Sequence, residues 1–355
     1  MVAPIVETNE WKSSRYDMVV DVRSPCEFSN DHIPEAVNLP VLSDSERAEV
    51  GKIYKQQSSF IARRKGAALV ARNIAHHLEK KLEKMGPEFT PLVYCWRGGQ
   101  RSAAFAQICS EVGWQSFILK GGYKSYRQAV LLGFKQISSS VRFVVIAGRT
   151  GSGKTNILDE LKLQGAQILD LEKLAVHRGS LLGKVKDREQ PSQRMFESNL
   201  YSELLKFNFL EPIYVESESS RIGNIQIPVD VWKQVVLAPM ISITMQVSDR
   251  AKHLLSQYSH LMSDPSALEK LVSGMIHRHG HTRTSIWREL IKAKDWQNLA
   301  EDLLNTHYDP AYDKSTFRHN RRMLAEIKQK DCCQKTLKTT ADLILGLSGR
   351  QKLKI

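Results

Sequence analysis

The chain has 355 residues, 42% of them hydrophobic and 25% charged, with a formal net charge of +13 at pH 7. Such a length exceeds one ordinary domain, and the composition excludes disordered, collagen-like and membrane-embedded chains. The positive surplus favours anionic partners, nucleic acid first among them, although charge alone serves solubility equally well.

The opening stretch MVAPIVETNEWKSSRYD has no apolar signal core, and no run approaches the ~18 apolar residues of a membrane span. Cys26, Cys95, Cys109, Cys332 and Cys333 form no CxxC and no zinc-ligand spacing. An odd, scattered set reads as reduced, and the expectation is a cytoplasmic protein without membrane association. YDMVVDVR reads as a strand, FSNDHIPEAVNLP as a loop, and the basic run from about Phe60 to Lys84 as a helix. Strand PLVYC, helix SAAFAQICSEVG, strand QSFILKGG and helix YKSYRQAVLLGFKQ follow. Strands separated by helices predict a parallel sheet covered on both faces. A second α/β unit starts at Val141 with RFVVIAGRTGSGKTNILDELKLQG, and AQILDLE, EPIYVESES and APMISITMQV are its further strands. Beyond Ser248 the pattern is helical and basic to the end. The expected domains are 10–136, 141–250 and a basic helical segment 251–355 packed on the second. The join QISSSV is short, so the two α/β units are expected to pack together.

In VYCWRGGQRS, Cys95 stands where a buried strand ends and a helix begins. Helix N-terminal amides, a glycine nest at Gly98 and Gly99, and the charges of Arg97 and Arg101 all favour a thiolate. A persistent thiolate among oxyanion donors is a nucleophile. The other four cysteines read as structural or surface residues. GRTGSGKT (Gly148, Arg149, Thr150, Gly151, Ser152, Gly153, Lys154, Thr155) fits the phosphate-binding G-x-x-x-x-G-K-[ST] pattern between a strand and a helix. Its amides cradle phosphates, Lys154 reaches the terminal one, and the Thr155 hydroxyl is a candidate Mg²⁺ ligand. Candidate metal-side or catalytic carboxylates are Asp170 and Glu172 in LDLE, and Glu216 and Glu218 in ESES, each pair following an apolar strand. No hhhhD segment and no base-reading motif accompanies the loop, which weighs against an ATPase or kinase. His177 and Arg178 in HRGS and Arg221 in SSRIG are candidate phosphate or RNA contacts. MIHRHGHTRT alternates three histidines that do not converge on a metal from a helix, and its Arg278 reads as part of an RNA-facing surface. Tyr308 in HYDPAY is a candidate for stacking on a base, with packing of the helical tail the alternative. No metal is expected beyond Mg²⁺.

DVRSPCEF, DHIPEAVNLP and the strand-end cysteine loop resemble a rhodanese domain. In that family the cysteine carries sulfur or selenium. The C-x5-R spacing from Cys95 to Arg101 is one residue longer than the usual rhodanese loop and is similar to rhodanese-fold phosphatases, which enclose a tetrahedral phosphate. Tyr94 stands where a phosphatase-type loop has a histidine. With YCWRGGQRS, GRTGSGKT, LDLEKLAVHRGS, ESESSRIG and HYDPAY in this order, the chain resembles the tRNA 2-selenouridine synthase family over about residues 10–320. One position departs: Val176 stands where the family's LANHRGS has asparagine.

The resemblance implies two steps at the wobble 2-thiouridine of tRNA. Geranyl diphosphate alkylates the thiocarbonyl sulfur, and selenium from selenophosphate then displaces geranyl thiol. Cys95 would carry selenium as a selenenyl sulfide, Arg97 and Arg101 would hold the donor's phosphate, and selenophosphate synthase is a candidate supplier. The competing readings are a plain sulfurtransferase, which needs no second unit, and a P-loop kinase or ATPase with a regulatory rhodanese-like module.

Overall fold

The computed structural model describes residues 2–177, 188–216, 219–258, 262, 265–317 and 321–351. Contacts divide the chain into two compact units, one of residues 1–137, 172–206 and 223–228, the other of 138–171, 207–222 and 229–355. Among the described residues no helix is long and apolar enough to cross a membrane.

The first unit is built on a five-stranded sheet of β1 (Ile5–Thr8), β2 (Met18–Asp21), β3 (Val37–Asn38), β4 (Pro91–Tyr94) and β5 (Ser116–Leu119), in the order β1-β5-β4-β2-β3. Every pairing is parallel, as the alternation of strands and helices requires. All four residues of β4 are buried, which explains its continuous apolar run. The stretch read as a loop before the basic run holds the end of a short helix, Pro25–Asn30, and the two-residue edge strand β3, and two further elements also escape the sequence reading. The edge strand β1 exposes three of its four residues and so carries no apolar pattern. The helix Asp44–Gln56 buries no residue, yet Ser43 and Glu46 close a capping box at its start, a signal present in SDSE. The basic run forms the helix Ser59–Lys80.

Beneath β2 lies a buried ion pair. The Arg23 guanidinium, 1% exposed, donates from Nε to Asp21 Oδ1 at 3.0 Å, from Nη2 to Oδ2 at 2.6 Å and to the Asp31 carbonyl at 2.6 Å. It also sits 4.0 Å from the centre of the Tyr123 ring, whose hydroxyl donates to Asp31 at 2.6 Å.

The second unit carries a five-stranded sheet of β6 (Phe143–Gly148), β7 (Gln167–Leu169), β8 (Ile213–Glu216), β9 (Met240–Thr244) and β10 (Met323–Lys328), in the order β10-β9-β6-β8-β7. The expectation of a wholly helical end is corrected here: β10 pairs with β9 in parallel, Ile243 opposite Ile327. As an edge strand it buries only Ile327, so it shows no strand periodicity. The remaining described tail is largely helical.

Removing one partner of a buried pair strands the other charge, at a cost of about 3 kcal/mol or more. Asp21→Asn is therefore expected to lower hydrogen-exchange protection of the β4 amides by about 100-fold. Protection within threefold of the unsubstituted chain would contradict this account of the core.

Candidate functional site

In the first unit β4 delivers Cys95 to the mouth of a loop that leads into the helix Gln100–Val112. The thiol is buried, 4% exposed, with the Gly99 amide donating to its sulfur at 3.3 Å and the Ser102 hydroxyl 3.2 Å away. Burial pushes this thiol's pKa up, but hydrogen bonding from Ser102 and from the backbone amides of Ser102, Arg97 and Gly99 outweighs it, and the pKa falls below the ordinary value. Cys109, buried in the same core, shows burial acting with weaker compensation: its thiol is pushed up to about 12.

The loop is held from behind by the start of the helix Gly122–Ser138. The Tyr123 amide donates to the Cys95 carbonyl at 2.8 Å and Lys124 to that of Trp96 at 3.0 Å. This approach demands glycine at position 122, where φ is +59° and a Cβ would lie 2.3 Å from the Cys95 carbonyl oxygen. The sequence reading passed over Gly122, although the GG after β5 was the available signal. Arg101, 22% exposed, is held by Glu27 at 2.8 Å, and Arg47 reaches the same carboxylate at 3.0 Å. Burial pushes the Glu27 carboxyl up, but Arg101, Arg47 and the Ser24 amide together outweigh it and hold it below its ordinary value. Arg97 is exposed. A cavity of about 520 Å³ opens here, lined by Arg47, Trp96, Arg101 and Arg194 among others.

In the second unit β6 ends in the glycine loop and the helix Lys154–Leu163 begins at its lysine. Gly151 and Gly153 have φ of +83° and +75°, and a Cβ on Gly148 would lie 2.8 Å from the Ile243 carbonyl. Lys154 donates to the Gly148 carbonyl at 2.9 Å. The buried Ser152 hydroxyl has no partner among the described residues. Glu216, at the end of the adjacent β8, accepts from the Thr155 hydroxyl at 2.8 Å. A hydroxyl and a carboxylate at this edge are hard oxygen donors of the kind Mg²⁺ takes.

HYDPAY has a structural part that the sequence reading missed. Tyr312 accepts from the Gly148 amide at 2.7 Å, and Arg149 pairs with Asp313 at 2.8 Å and Asp309 at 3.5 Å. Asp309 also makes a buried bidentate pair with Arg250 at 2.8 and 2.7 Å, and Arg250 donates to the Thr150 carbonyl at 3.0 Å. The spacing of Asp309, Tyr312 and Asp313 by helical steps was the available signal. Tyr308, a candidate for base stacking, is half-buried, and burial pushes its hydroxyl up to about 12.

The other candidates are distributed over both units. Asp170 follows the edge strand β7, whereas Glu172 belongs to the first unit. His177 lies in the first unit against Gly223 and Gln190. Arg221 and Arg278 are exposed in the second. Arg178 and Glu218 lie outside the described residues. Of MIHRHGHTRT, His279 pairs with His307 at 2.7 Å. Among the described residues no group of three or more metal-binding side chains converges.

Fold and loops together define a chain in which a rhodanese-like thiol unit is joined to a phosphate-loop unit. Residues 6–129 match the family model of the rhodanese-like domain, and residues 141–283 match that of the tRNA 2-selenouridine synthase AAA domain. Curated relatives named tRNA 2-selenouridine synthase include one from Pseudomonas putida, 31% identical over 83% of this chain and 87% of its own length. One from Shewanella denitrificans is 30% identical over 86% and 90%. One from Nitrosomonas europaea is 36% identical over 68% of this chain, and the chain spans 63% of that relative's length. The chain belongs to the tRNA 2-selenouridine synthase family.

Val176, the position that departs from the family's motif, has φ of +50°. That left-handed conformation suits asparagine and strains a β-branched residue by ~1–2 kcal/mol. Val176→Asn is expected to stabilise the chain by about 1 kcal/mol, read as a raised urea midpoint; a lowered midpoint would refute the strain. Ser102→Ala removes a donor to the thiolate and is expected to raise the midpoint of the pH profile for iodoacetamide alkylation of Cys95. An unmoved profile would show that the hydroxyl does not stabilise the anion.

Proposed function

We propose that this chain replaces sulfur by selenium at the wobble 2-thiouridine of tRNA, by way of an S-geranyl intermediate. The observation that carries the reading is the pairing of a hydrogen-bonded, low-pKa thiol with a phosphate loop in one chain of this family. What the relatives' name says they make is the starting point, and the residues account for the chemistry.

The phosphate loop takes geranyl diphosphate. Its amides, Lys154 and Arg149 offset the charge that grows on the diphosphate as the allylic carbon–oxygen bond breaks and the thiocarbonyl sulfur bonds to that carbon. Thr155 and Glu216 would hold Mg²⁺, which supplies Lewis-acid neutralisation of the departing diphosphate. Arg250 and Asp309 keep the loop in its phosphate-binding shape through the Thr150 carbonyl. In the second step the Cys95 thiolate bonds to the phosphorus of selenophosphate as the phosphorus–selenium bond breaks. The hydrogen selenide released bonds to carbon 2 of the base as geranyl thiolate leaves, and water then frees phosphate from the thiol. A selenenyl sulfide on Cys95 would need a two-electron oxidant, which selenide-level selenium does not bring. Arg97 and Arg101 bind the donor's phosphate, Arg101 by exchanging Glu27 for it. The net charge of +13 draws in the tRNA through its phosphates, which makes binding fall steeply with salt. A cytoplasmic location and supply of the donor by a selenophosphate synthase belong to the same proposal.

Mass spectrometry of tRNA nucleosides separates the two steps. Cys95→Ala is expected to lose at least 100-fold in 2-selenouridine formation while S-geranyl-2-thiouridine still forms; Lys154→Ala is expected to lose geranylation by about the same factor. Selenation at the unsubstituted rate in Cys95→Ala would remove the thiol from the mechanism. Rapid ATP hydrolysis indifferent to geranyl diphosphate would favour a kinase or ATPase instead.

A further inference from the structure

Next to Cys95 in the chain stands an aromatic ring that the chemistry above does not use. Trp96 is 36% exposed, in a loop otherwise tied down by backbone hydrogen bonds. One side of its ring packs on Tyr123, with centroids 5.2 Å apart and planes tilted by 34°. Tyr123 is itself immobile: it is 2% exposed, its hydroxyl is bonded to Asp31, and the Arg23 guanidinium lies against its ring. The indole is thus backed by a closely held stack, and with Tyr123 it lines the cavity of about 520 Å³, to which its chain neighbour Cys95 does not itself contribute. That volume lies within the range of small-ligand sites.

The rim around the indole is cationic. Arg47, Arg101 and Arg194 line the same cavity, and one carboxylate, Glu27, faces them. Arg47 remains 52% exposed despite its pair with Glu27. A flat, rigid aromatic surface ringed by guanidinium groups suits an unstacked nucleobase with its flanking phosphates. An acidic peptide would use the arginines but leave the indole unused.

We propose that Trp96 is the platform on which an unstacked pyrimidine of single-stranded RNA lies while its carbon 2 faces Cys95, with Arg47 and Arg194 taking the neighbouring phosphates. This rests on the proposed function, since it places the target base of that reaction. Trp96 is a positioning residue and takes no part in bond making.

The test uses the full chain and an anticodon stem-loop carrying 2-thiouridine at the wobble position, beside the same stem-loop with an abasic wobble nucleotide. Trp96→Ala is expected to weaken binding of the intact probe by about tenfold or more, and Trp96→Phe by less than about threefold. The unsubstituted chain should bind the abasic probe as weakly as Trp96→Ala binds the intact one, and Trp96→Ala should not distinguish the two probes. The rate of Cys95 alkylation by iodoacetamide should change less than about twofold in both variants, since a collapsed loop would move it. Equal affinity of the unsubstituted chain for the intact and abasic probes overturns the platform, whatever the variants do. So does an equal loss for both probes in Trp96→Ala. A chain that binds the stem-loop in this pattern but makes no 2-selenouridine would leave the platform standing and remove the proposed function.

Discussion

Burial and hydrogen bonding act on a thiol in opposite directions, and the first unit is organised around the outcome at one sulfur. Cys95 and Cys109 share a core, yet one thiol falls below its ordinary pKa and the other is pushed up to about 12. The difference lies in the amides of Arg97, Gly99 and Ser102 and in the Ser102 hydroxyl, all aimed at Cys95 by the curl of its loop. That curl depends on Gly122 letting the next helix press its amides onto the loop's carbonyls. In the first turn of that helix stands Tyr123, clamped by Asp31 and Arg23, and Arg23 is in turn neutralised by Asp21. The DVR of the sequence is thus the far end of the support for the sulfur.

The second unit repeats the device with a different occupant. A buried strand ends, glycines with positive φ turn the chain, and a helix starts with its amides facing the turn. In the first unit the amides are turned on the protein's own thiol; in the second the glycine loop has the shape of a phosphate cradle. The carboxyl-terminal part of the chain completes this second loop. Asp309 and Arg250 brace it from inside, while Tyr312 and Asp313 occupy Gly148 and Arg149. Under the proposed function these partners mark the places that an incoming diphosphate must share or take over.

The sequence carried both loops clearly because glycine, cysteine, lysine and arginine stood in local runs whose spacing alone states the geometry. Strands β2, β4 to β9 and their helices were legible from apolar runs for the same reason. What was not legible depends on distant partners or on weak exposure patterns. β1, β3 and β10 are edge strands that bury little, so no periodicity announces them. Tyr312 and Asp309 reach Gly148 and Arg149 across more than a hundred residues of chain, so the helical spacing in HYDPAY marks a shared face but not the phosphate loop it braces. Gly122 and Val176 were visible as letters, but only the backbone angles show that one requires glycine and the other strains valine.

The central claim is that the two loops act in series on one base, with the geranyl group as the link. It is tested most directly by nucleoside mass spectrometry of tRNA incubated with the unsubstituted chain while each co-substrate is omitted in turn. Geranyl diphosphate alone is predicted to accumulate S-geranyl-2-thiouridine, and later addition of selenophosphate to convert it to 2-selenouridine. Formation of 2-selenouridine at full rate with no geranyl diphosphate present would contradict the account.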